Sequence, residues 1–114
     1  MIDKDNWQEL FIREINDAES ARKRGNEGKA RVCARRAAGI VIREYFNRNE
    51  IHTSEMGAYS LLKKMTSLPH ISEDVRETVH HFIVRITPQK QMPIDADLIS
   101  DAYWLAERLI NIKH

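Results

Sequence analysis

Arginine and histidine stand together in the run Arg76-Glu77-Thr78-Val79-His80-His81. An arginine can hold a phosphodiester through charge-assisted hydrogen bonds, and a histidine can move a proton near neutral pH. Arg76 and His81, with His80 assisting, are therefore the candidate catalytic residues for metal-independent cleavage of RNA. In such a step histidine acts on the 2′-hydroxyl proton while arginine stabilises charge on the phosphorane. A metal centre is a poorer reading. Adjacent histidines on a helix point about 100° apart, whereas a helical ligand pair needs i, i+3 or i+4 spacing. His52, His70, His80, His81 and His114 form no HExxH or comparable pattern, so neither a metal nor another cofactor is expected.

Arg31, Arg35, Arg36 and Arg43 form the second candidate group, all within GKARVCARRAAGIVIREYFN from Gly28 to Asn47. They can contact phosphates of RNA or a nucleotide. Equally, they can pair with Glu9, Glu14, Asp17 or Glu19 of the preceding helix, or with a second subunit. The formal net charge of +1 supplies no overall basic field, so any nucleic-acid contact must come from local clusters. Aromatics that could stack on bases beside these arginines are limited to Tyr45 and Phe46.

These side chains need rigid elements to position them. At 114 residues the chain makes one domain, 1–114, with a single core. Four Gly and three Pro are too few for a turn-rich β fold, and no segment has the period of two that marks a strand. Residues from about 5 to 24 read as a first helix with Trp7, Leu10, Phe11, Ile15, Ala18 and Ala21 on one stripe. Glu14 lies near the middle of that stripe, where a carboxylate is costly unless paired, and an arginine of the second helix is its expected partner. Gly25 suits the left-handed residue after this helix, and Asn26 suits the N-cap of the next.

The second helix is apolar on more than one side. Ala30, Cys33, Ala34, Ala37, Ala38, Ile40, Val41 and Tyr45 share a broad face, expected to be core. Val32, Gly39 and Phe46 repeat at seven-residue spacing nearly opposite, and form the expected dimer interface. A third helix, capped by Thr53 or Ser54, carries Ala58, Tyr59, Leu61, Leu62 and Met65 and stops at Pro69. A fourth begins at Ser72-Glu73-Asp74 and buries Val75, Val79, Phe82, Ile83 and Ile86. TPQKQMP, residues 87–93, is the longest expected loop. Asp95 is the expected cap of a last helix, with Ile94 and Leu98 as its staple, an apolar face from Leu98 to Ile112, and Trp104 off that face. The fold class that follows is all-α, an antiparallel up-and-down bundle of about five helices.

The lone Cys33 excludes an intrachain disulfide and a cysteine-based zinc site, and reads as a buried, inert thiol. The charged N-terminus MIDKDNWQEL has no apolar run of the kind found in signal peptides, and no window approaches the roughly 18 apolar residues of a membrane span. A cytoplasmic location without membrane contact is the expectation.

The layout resembles a HEPN (higher eukaryotes and prokaryotes nucleotide-binding) domain over nearly the whole chain. The short Gly-containing turn, the Ala-rich GKARVCARRAAGIVIREYF, SLLKKMTSLPHI and the Pro-containing RITPQKQMPID before the final helix carry the resemblance. It implies a helical bundle that dimerises through helix faces. It also implies RNA cleavage, nucleotide binding, or partnership with a separate nucleotidyltransferase-like protein. The nuclease branch carries R-x4-6-H, which Arg76 and His81 satisfy, with Glu77 following the arginine. Residues five apart on one helix point about 140° apart, so Arg76 and His81 would converge only through a helix break or across a dimer. The expected function is thus a non-catalytic, homodimeric nucleotide- or RNA-binding or partner module. A metal-independent ribonuclease and a purely structural oligomerisation domain are the alternatives.

Overall fold

The first helix turns back on the second through a three-residue connection, and the local chemistry of that turn explains why. The computed structural model describes residues 6–84 and 97–110. Helix α1 runs Trp7–Lys23 and α2 runs Glu27–Arg48. Gly25 takes φ +80°, a conformation that costs an L side chain about 1–2 kcal/mol and glycine nothing. With it there, the Asn26 N–H reaches the Ala21 carbonyl at 2.8 Å and the Gly25 N–H reaches that of Arg22 at 3.0 Å, which satisfies two open carbonyls of α1. The Asn26 side chain then accepts the Lys29 N–H at 3.1 Å and starts α2. Across the same turn Arg22 bridges Glu27 at 2.8 Å and Asp97 at 3.1 Å. Its hydrogen bonds, that to Glu27 foremost, hold the guanidinium deeper in its charged form.

Three further helices complete an all-α bundle among the described residues: α3 (Ala58–Thr66), α4 (Glu73–Ile83) and α5 (Leu98–Ile110). Helix α2 packs against α1, α3 and α5, and α4 bridges α3 to α5. The Ala-rich face of α2 explains this centrality. Ala30, Cys33, Ala34, Ala37, Ala38 and Val41 are all buried, and their short side chains admit neighbouring helices closely. Trp7, Phe11, Ile15, Ala18 and Ala21 of α1 close over that face from one side, and Ala102, Leu105 and Ala106 of α5 share the same core. No helix among the described residues is long and apolar enough to cross a membrane.

The second stripe of α2 is not an open surface. Phe46 is fully buried, and Gly39 is buried under the start of α3; only Val32, 40% exposed, faces outward. A Cβ at Gly39 would lie 2.8 Å from the Cβ of Ala58. The missing side chain is thus what lets α3 dock, and the expected dimer stripe is corrected to an intramolecular seam at two of its three positions.

Local starts differ from expectation in two places. Helix α3 begins after Gly57, not after Thr53 or Ser54, because the Met56 N–H turns back to the Thr53 carbonyl at 3.0 Å and Glu55 takes φ +57°. Asp97 caps α5, accepting the N–H groups of Ile99 at 3.1 Å and Ser100 at 3.4 Å. Asp95, Ile94, Ile86, Ile112, His114 and the 87–93 loop lie outside the described residues. Leu10 and Tyr59, placed on apolar stripes by periodicity, are 48% and 50% exposed. Trp104 is partly buried against the core, with the Arg108 guanidinium 5.4 Å above its ring.

Candidate functional site

Arg76 and His81 leave α4 in different directions. The Arg76 guanidinium reaches back to the end of α3, where it donates to the Thr66 carbonyl and, at 3.2 Å, to that of Leu68. Helix C-termini leave carbonyls without intrahelical partners, and a cation there answers both the hydrogen bonds and the dipole. His81 lies against α5 instead, its Nδ1 2.9 Å from Asp101 Oδ2 with both side chains about three-quarters buried, at 26% and 21% exposure. His80, one residue away, is exposed and lines an open cleft of about 400 Å³ with Lys63, Thr66, Glu73, Arg76, Glu77 and Ile83. The structure therefore brings Arg76 and His80 to one cleft and separates both from His81. In that cleft Glu73 stands 3.9 Å from Arg76 Nε, and the other guanidinium nitrogens hold backbone carbonyls.

The four arginines of α2 divide by face. Arg35 Nε donates to the Phe82 carbonyl at 3.0 Å, closing the end of α4 as Arg76 closes that of α3. Arg43 donates to the Met56 carbonyl and steadies the approach to α3. Neither Arg31 nor Arg36 makes a hydrogen bond or an ion pair among the described residues. None of the four pairs with Glu9, Glu14, Asp17 or Glu19. Glu9 is 3.9 Å from Arg13, an exposed i, i+4 contact of little energetic weight. The expected ion pair of Glu14 with an α2 arginine is also not formed.

Arg36 and Arg43 meet instead at a second cleft. Its walls are Trp7, Leu10 and Glu14 of α1 and Arg36, Gly39, Ile40, Arg43, Glu44 and Asn47 of α2, with Ala58 and Leu61 of α3 at one end. The i, i+3, i+7 spacing on α1 and the i, i+4, i+7, i+11 spacing on α2 put each set on one face of its helix. The cleft holds about 360 Å³, within the range of small-molecule sites. Glu44 is the only charged side chain buried among the described residues, and Arg48 Nε meets its carboxylate at 2.7 Å. Sequence periodicity had placed Glu44 nowhere in particular. Its only signal was the i, i+4 spacing to Arg48.

Cys33 is buried, and burial first, then the charges of Glu14 and Asp17, push its thiol up from the ordinary range, which suits an inert core side chain. No three His, Cys, Asp or Glu side chains come together to hold a metal ion among the described residues. No family model matches the chain, and no curated protein or solved structure is significantly similar to it.

Proposed function

We propose that the chain is a HEPN-like, non-catalytic module that binds a nucleotide or RNA, acting as a homodimer or beside a nucleotidyltransferase-like partner. The observation that carries this reading is the divergence of Arg76 and His81. A phosphodiester held by one cannot give its 2′-hydroxyl proton to the other within the protomer, since Arg76 is engaged by α3 carbonyls and His81 by Asp101. General acid–base work needs both groups within hydrogen-bond reach of one substrate. Sequence layout supports the family, and Arg31 and Arg36, without hydrogen bonds or ion pairs among the described residues, are the cations left to meet phosphate.

Incubation with RNA in EDTA, beside an Arg76→Ala/His81→Ala control, tests the reading. No cleavage above the control is expected, together with RNA binding that weakens steeply with salt. Cleavage by the wild type that the double variant lacks would place a nuclease in this fold and end the non-catalytic reading. Light scattering on the same samples reads the expected dimeric mass.

A further inference from the structure

We propose that the cleft between α1, α2 and the start of α3 is a binding site for a small amphipathic organic anion, one phosphate or carboxylate on an apolar body. The assignment rests on the charge and shape of the cleft and does not require the chain to bind RNA.

Charge accounting comes first. Arg36 has no hydrogen bond or ion pair, and Arg43 gives one N–H to a neutral carbonyl, so both guanidinium charges are uncompensated at close range. Glu44 is already neutralised by Arg48 at 2.7 Å. One carboxylate, Glu14, remains on the α1 wall against two cations on the α2 wall. An oxyanion is therefore favoured, and repulsion by Glu14 directs it to the Arg36–Arg43 side. These arginines lie at i and i+7, on one face two turns apart, so an anion between them can take N–H donors from both.

Shape supplies the second half. Between the charged positions the cleft is apolar, with Leu10, Ile40 and Leu61 lining it. Leu10 is 48% exposed, a large aliphatic side chain left beside an unpaired cation. Gly39 sets the end wall, because its missing side chain draws Ala58 onto α2. A volume of about 360 Å³ takes a ring and its anionic head but no polymer.

Calorimetric titration of the full chain decides the matter, using inorganic phosphate, phenyl phosphate, 3-phenylpropionate and adenosine monophosphate as probes. At least one amphipathic probe should bind saturably and more tightly than phosphate alone. Its affinity should fall at least about tenfold in Arg36→Gln, the loss expected when a hydrogen bond between charged groups is deleted. Leu10→Glu, which brings a like charge to the mouth, should weaken binding similarly. Both side chains are exposed, and an unchanged far-UV spectrum checks the fold of each variant. Preference for the phosphates or for 3-phenylpropionate identifies the head group, and either preference supports the site. The proposal is overturned by absence of saturable binding for every probe, or by binding indifferent to both substitutions. It is equally overturned if Lys63→Ala, in the α3–α4 cleft, abolishes binding that Arg36→Gln leaves intact. Probe binding without RNA binding would sustain this site while removing RNA from the proposed function, and RNA binding without probe binding would do the reverse.

Discussion

Arg76 donates its guanidinium to the Leu68 carbonyl at 3.2 Å, so α4 closes the open end of α3 from the side. The same hand reaches Thr66, and Arg35 repeats the device between α2 and the Phe82 carbonyl. Cationic side chains here serve as caps supplied by neighbouring helices. They couple short helices that could not persist alone, since α3 has nine residues and α4 eleven.

Arg76→Ala should therefore act as a stability mutation. Loss of hydrogen bonds from a charged donor to two carbonyls predicts destabilisation of about 1–3 kcal/mol, read as a lower urea midpoint at unchanged slope. Arg76→Lys should recover only part of it, because one ammonium cannot reproduce the planar fork that spans two carbonyls. A midpoint within error of the wild type for Arg76→Ala would remove the capping role.

Gly39→Ala sets two effects against each other. Alanine gains about 1 kcal/mol of helix propensity over glycine, but its Cβ would sit 2.8 Å from Ala58 Cβ and 3.0 Å from Ala58 Cα. Because backbone is among the atoms met, α3 must shift, and overpacking of this kind costs about 1–3 kcal/mol. Net destabilisation of about 1 kcal/mol is expected by urea denaturation. The double variant Gly39→Ala/Ala58→Gly should recover it, which a loss of dimer contacts would not.

Acid should expose the α5 cap. Burial raises the Asp97 pKa, but the Arg22 hydrogen bond and the Ser100 N–H outweigh it, and the carboxyl ends below its ordinary 3.8. A group lowered in the folded state contributes stability above its unfolded pKa and loses it as pH falls through the folded value. The Tm difference between wild type and Asp97→Asn should thus be fully present at pH 6 and shrink below about pH 4. Its size should be modest, about 1 kcal/mol or less, since Asp97 is half exposed and screened. A difference that grows toward acid would contradict the assignment.

Elements whose cause is local were legible in the chain. Gly25 and Asn26 read as a helix stop and a helix start because one residue's φ preference and one short side chain decide them. The Ala-rich face of α2 and the stripes of α1, α4 and α5 followed from a 3.6-residue period, and most of their members are buried. The α3 start was misplaced because Thr53 and Ser54 are both good caps in isolation. A turn through Glu55 and the extended Gly57 sets the boundary instead.

Residue type also announced which side chains could do chemistry, though not what each would meet. A helical period shows that Val32, Gly39 and Phe46 share a stripe, yet it contains nothing about whether α3 covers them. The arginines show the same limit. Their charge is written in the chain, but the Phe82, Met56, Thr66 and Leu68 carbonyls they reach belong to other segments, freed by ends that only packing apposes. The sequence by itself determined the helices, the central place of α2 and the absence of a metal-ligand pattern, all properties of neighbours along the chain. Tertiary structure alone decided that Arg76 and His81 part company, that Gly39 is a seam, and that Arg36 and Arg43 face a cleft. Those outcomes depend on distances between residues far apart in sequence, which no local periodicity encodes.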